Sequence, residues 1–178
     1  MMTHEQRHWI LIVNLAATWW MTGLIWLVQV VHYPLFEKVG TAEFTAYHHF
    51  HTRMITFVVL PPMLLELVCS AILSWDCPRG ASKRLAWLGL GCVLLVWGIT
   101  WFFSIPEHER LAQNRDYKAY QRLVETNWIR VIAWTIHACI LLVMTHGVLV
   151  KSIGVESSSK QVRQSDRTES GEWRSSGS

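Results

Sequence analysis

An acid at membrane depth is the first chemistry this chain offers. Glu66 lies inside the apolar run Met54–Trp75, one helical turn past the Pro61–Pro62 pair. A carboxylate in a bilayer core costs at least ~2.5 kcal/mol unless it is paired, protonated or hydrated, so such a group marks a site by default. The two prolines have no N–H to offer the carbonyls of Phe57 and Val58, which frees acceptors near the acid. His137, in the last apolar run, differs from Glu66 by only ~6 Å in depth when both are placed on ideal helices. Carboxylate and imidazole at that spacing can pair, and each is a candidate for moving a proton.

A second group gathers at one end of the chain's apolar runs. His32, His48, His49, His51 and His108 fall there, beside Glu107 and Glu109. Imidazole is a common ligand of copper, zinc, iron and haem. His48 and His51 stand at i, i+3 and can act together, so His32, His48, His51 and His108 are metal candidates. A hydrogen-bonded polar cap is the alternative. No CxxCH or HExxH pattern accompanies them, so haem or copper is allowed but not required. His108 is also a third candidate for proton transfer. Asn127 and Arg130 open the last run and are candidates for holding a ligand.

These residues share faces. At ~100° per residue, His48, His51, Pro62 and Glu66 fall within an arc of ~60°. Asn14, Thr18, Gln29 and His32 share one face of the first run, and Asn127, Arg130, Trp134 and His137 one face of the last. Ser104 and His108 add a third strip. Lipid offers such groups no partners, so the polar faces are expected to meet in a common interior. For Asn14, Thr18, Gln29 and Ser104 the expected role is interhelical hydrogen bonding, worth ~0.6 kcal/mol per bond.

The elements that must position them are four apolar runs, 9–31, 54–75, 85–105 and 129–150, each long enough to cross a bilayer. The chain has 178 residues, 51% of them hydrophobic, with 11 tryptophans and a mean hydropathy of +0.22. The sequence predicts an all-α transmembrane four-helix bundle over residues 1–151. A short amphipathic helix is expected at the interface over 115–125, and a disordered Ser-rich tail over 152–178. The segment Tyr33–Gly40 reads as a turn. No internal repeat is evident. The first run is too long for a signal peptide and no clean cleavage site follows, so it reads as a retained helix. Ala16 with Gly23, and Gly91 with Gly98, are spaced to let backbones approach.

Composition also excludes. The net charge of +3 is too small and too dispersed for nucleic-acid binding. The four cysteines show no paired spacing for a disulfide framework or zinc knuckle. Arg79, Lys83 and Arg84 crowd one short loop and Lys151 closes the last run, which places both termini in the cytoplasm of a cell-membrane protein. The expected partners are the lipid bilayer and a hydrophobic small molecule. Oligomeric state is open.

Several of these residues together carry a resemblance. Gly23 precedes Pro34–Leu35, the third run ends in Pro106-Glu-His-Glu-Arg-Leu111, and the fourth begins Asn127-Trp-Ile-Arg130. Between Trp9 and Val150 the chain resembles the anthrone oxygenase-like family of small four-helix membrane proteins. Pro106 and Leu111 match its Pro-x-Asn-x-x-Leu pattern, with His108 in place of the Asn, and Asn127 and Arg130 match its Asn-x-x-Arg. The resemblance implies a four-helix membrane fold; apart from it, a polar pocket open to the bilayer suits a flat hydrophobic molecule such as a quinone or aromatic polyketide and, for an enzyme, its cofactor-poor oxidation. In that chemistry a His or Glu takes a proton beside a carbonyl, leaving a carbanion that meets oxygen. Two other readings stay open. One is a haem- or copper-binding protein of electron transfer or metal handling. The other is a non-catalytic accessory subunit or small transporter.

Overall fold

A computed structural model of the protein describes residues 2–154. Four helices are long and apolar enough to cross a membrane: α1, His4–Phe36; α2, Thr41–Trp75; α3, Lys83–Gln113; and α4, Tyr117–Gly154. No strand occurs among the described residues. Each helix packs on its sequence neighbours and α1 also packs on α4, so the four close into an up-down-up-down ring. Apolar side chains such as Trp20, Phe57, Leu88 and Phe102 coat the outside, each more than half exposed. That coat is the surface of a membrane protein, because lipid is the only solvent that welcomes it.

Local chemistry sets the helix ends. Thr3 caps α1 by accepting from the backbone N–H of Gln6, whose side chain reaches back to the Thr3 N–H. The turn between α2 and α3 contains Gly80 at φ 100°, a conformation open to glycine. A Cβ there would also meet the Gly147 carbonyl oxygen at 2.7 Å, so the turn is pressed directly against α4.

The helices outrun the predicted spans at the histidine end. α1 continues into the predicted turn as far as Phe36, leaving only residues 37–40 to reverse the chain. The charged stretch 115–125 is helical and amphipathic from Tyr117, with Ala119 and Leu123 buried, and it runs without a break into the fourth span. Tyr33, Phe36, Phe44, Leu111, Ala119 and Leu123 are buried at this projecting end, in one core continuous with Met21, Met63, Val96 and Trp134 of the spans. At the other end α4 continues to Gly154; the rest of the predicted tail lies outside the described residues.

Two irregularities shape the interior. α1 passes through a π-helical segment, Val28–His32, and α3 through another, Thr100–Ser104. Each ends two residues before a proline, Pro34 or Pro106, whose missing N–H already weakens the α ladder. The Tyr33 N–H bonds the Val28 carbonyl and the Ile105 N–H that of Thr100, the i→i+5 pattern that inserts one residue into a turn. The halves therefore repeat a layout after all. Each pairs a π-broken helix with a partner opening on aromatic-x-Ala-Tyr, Phe44–Tyr47 and Tyr117–Tyr120.

Two expectations are corrected. α2 stays α-helical through Pro61 and Pro62, which border a shallow apolar groove with Ala16, Ala17, Trp20 and Phe57. The freed carbonyls of Phe57 and Val58 thus sit at the lipid-facing side, and the acid finds its partner across the bundle instead. Gly23, Gly91 and Gly98 have open space around them, so no neighbouring backbone packs close against them. The close approaches are at Gly89, against His137, and at Gly80, against Gly147.

Candidate functional site

The predicted polar faces do turn inward. Asn14, Thr18, Gln29, His48, Glu66, Ser104, Asn127, Arg130 and His137 are all buried. They form two groups at different depths.

The group nearer the α2–α3 turn ties helices together. Asn14 Nδ2 donates to Ser70 Oγ at 3.0 Å, and Ser70 Oγ stands 3.5 Å from His137 Nε2. Glu66 is 1% exposed and accepts from the Trp134 indole N–H at 3.0 Å. The expected pair of Glu66 with His137 does not form. Trp134, one turn earlier on α4, reaches the carboxylate, while His137 turns toward α3 and packs on Gly89. The space around His137 holds no sizeable cavity.

The group nearer the histidine end borders a cavity of about 520 Å³, within the size range of small-molecule sites. Its walls come from α1, α2 and α3: Met21, Ile25, Val59, Met63, Trp97 and Trp101 among others. Tyr33, His51, Ser104, His108 and Arg130 contribute to its polar lining, together with Thr52, Thr56 and Thr100 and, exposed, His49 and Glu109. Both π segments border it through Val28, Thr100 and Ser104. One inserted residue per helix thus decides which side chains face this space.

Arg130 is held entirely by neutral groups. Nη1 donates to Ser104 Oγ and to Asn127 Oδ1, both at 3.2 Å. Asn127 in turn donates to Gln29 Oε1 at 2.7 Å, and Gln29 donates to the Val124 carbonyl at 3.4 Å. The guanidinium lies 5.2 Å from the Trp134 ring centroid, and Tyr33 stands beside it. Nε has no hydrogen-bond partner. Asn127 at i−3 on the same helix face is therefore the residue that orients Arg130.

The histidines pair two by two. His32 Nε2 and His51 Nδ1 are 3.0 Å apart, so one donates and the other accepts. His48 Nε2 lies 3.2 Å from the His108 carbonyl oxygen and 3.3 Å from His108 Nδ1. A carbonyl only accepts, so the hydrogen of this contact is assigned to His48 Nε2, shared between the His108 carbonyl and Nδ1. With that assignment His108 Nδ1 is an acceptor and its ring hydrogen is placed on Nε2. Phe44 stacks on the His48 ring, and Phe36 meets His48 and His51 edge-to-face. His49 is exposed, near the mouth. Among the described residues no group of three or more His, Cys, Asp or Glu side chains converges as a metal site. The four metal candidates are thus brought close without forming such a set, because each ring nitrogen in contact is turned to a neighbouring ring or carbonyl.

Sequence reasoning missed Tyr33, read as part of a turn, and the cavity walls. Its only signal was the proline after Tyr33, which marks the π segment that turns the ring inward. Glu107, read as part of the histidine end, is neutralised by Arg110 at 3.0 Å and Arg122 at 3.4 Å. No protein-family model, curated protein or solved structure matches this chain.

Proposed function

We propose that this membrane protein binds a hydrophobic aromatic or quinone-like molecule that enters from the bilayer, with the molecule's polar end toward Arg130, Ser104 and His108. The cavity carries this reading: a largely apolar chamber with its few polar groups gathered together is the form such sites take. The resemblance of Pro106-x-His108-x-x-Leu111 and Asn127-x-x-Arg130 to the anthrone oxygenase-like pattern supports the same region, since His108 and Arg130 line the cavity and Asn127 accepts from Arg130. Oxidation of the bound molecule has less behind it. His108 directs a hydrogen, not a lone pair, from its free nitrogen, and Glu66 is engaged by Trp134. Haem or copper binding has the histidine pairs in its favour, and a role as accessory subunit or transporter has the interhelical hydrogen bonds.

The test is native mass spectrometry with metal analysis after mild detergent extraction, alongside titration of decylbenzoquinone against tryptophan fluorescence. Saturable quenching that disappears in Val59→Trp, which sets an indole into the chamber, is the expected result. Quenching identical in wild type and Val59→Trp, with stoichiometric copper or a Soret band removed by His48→Ala, would overturn it.

A further inference from the structure

Resting on the reading of the cavity as a ligand site, we infer that its ligand is an acidic amphiphile, with an anionic oxygen group set against Arg130 and an apolar body filling the rest.

The argument begins with charge. Arg130 is 7% exposed, yet no carboxylate forms an ion pair with it among the described residues. A buried cation normally has an anion beside it, because neutral dipoles replace only part of the lost hydration. The three carboxylates of the region are otherwise placed. Glu107 serves Arg110 and Arg122, Glu66 accepts from Trp134, and Glu109 is exposed at the cavity's rim. The one cation in the cavity's lining therefore lacks its counter-charge, and the space beside it is open.

The hydrogen-bond inventory points the same way. A guanidinium has donors only. His108, with Nδ1 accepting from His48, has a hydrogen on Nε2 to give. The Tyr33 and Ser104 hydroxyls add two rotatable donors. A polar end so rich in donors matches an acceptor without hydrogens of its own, and a carboxylate or phenolate is such a group. The charge-assisted bonds it would receive are about twice as strong as neutral ones. The remaining lining of Met21, Ile25, Val59, Met63, Trp97 and Trp101 suits an apolar body.

Matched probes differing only in charge test this. 1-Pyrenebutyric acid and its methyl ester would be titrated against the full chain in nanodiscs, read by energy transfer from tryptophan to pyrene and corrected with protein-free nanodiscs. The acid is expected to bind about tenfold tighter or more than the ester. In Arg130→Gln that ratio should fall to about one, and Arg130→Lys should keep part of it. Should Arg130→Gln fail to fold, the acid-to-ester ratio in wild type and Arg130→Lys decides alone. Equal binding of acid and ester in wild type, lost in Val59→Trp, overturns the acidic ligand and leaves the cavity reading standing. No saturable binding of either probe overturns both.

Discussion

At the scale of single residues, the interior is decided by which partner reaches a polar atom first. Glu66 and His137 are close in depth, yet Trp134 claims the carboxylate and Gly89 makes room for the imidazole. The indole N–H has Glu66 as its hydrogen-bond partner, so the acid's acceptor oxygen matters more to stability than its charge does. Glu66→Gln keeps an acceptor and should unfold within ~1 kcal/mol of wild type, whereas Glu66→Leu strands a buried donor and should lose ~1–3 kcal/mol. Thermal unfolding in detergent measures both. Equal losses would show that the hydrogen bond is not what holds this contact. Arg130 follows the opposite logic. Its neutral partners fix its position without cancelling its charge, which is what a ligand-binding cation requires.

At the scale of elements, the π segments are the features that convert four plain helices into a chamber. Each adds one residue ahead of a proline and so rotates everything beyond it relative to an unbroken α-helix. In α3 this places Ser104 and His108 toward Arg130 and sends Phe102 and Phe103 to the exposed side. Deleting Phe102, which is 72% exposed, should close the insertion into a plain α turn and leave Ser104 and His108 on the same face. The expected outcome is a chain that still inserts, stays helical by circular dichroism and still protects the cavity-lining Thr100→Cys variant when quinone is added. Lost protection would mean that the residues beyond the turn have swung off the cavity and that the insertion does not account for their facing. The same layout in α1 and α3, with aromatic-x-Ala-Tyr opening α2 and α4, shows that the device is used twice.

At the scale of the whole molecule, a ring of four helices leaves polar groups a single place to go. The projecting histidine end is a packed layer above the apolar spans, capped by short turns, and Arg115 stitches it by donating to Thr41 Oγ1 and to the Glu37 carbonyl. The opposite end is closed by Arg7 and Asp76 at 2.9 Å. If the basic α2–α3 turn faces the cytoplasm, as the positive-inside rule has it, the histidine end faces away from it. In whole cells an impermeant thiol reagent should label Lys118→Cys, in a background without native cysteines, and should reach Arg84→Cys only after permeabilisation. The reverse pattern would invert the topology and put the histidine end on the cytoplasmic side.

Four apolar runs of bilayer length are enough to impose four helices, because any other backbone would leave its N–H and C=O groups bare in lipid. The inward burial of Asn14, Glu66, Asn127, Arg130 and His137 was legible for the same reason, since helical spacing alone assigns them to shared faces. Partners were not legible. Whether Glu66 meets His137 or Trp134 turns on a few ångströms across the bundle, and an ideal helix drawn from the sequence carries neither the crossing of its neighbours nor a π insertion. The cavity, the tautomer of His108 and the uncompensated charge of Arg130 arise only when all four helices are packed together. They are properties of the space between elements, which no single stretch of residues encodes.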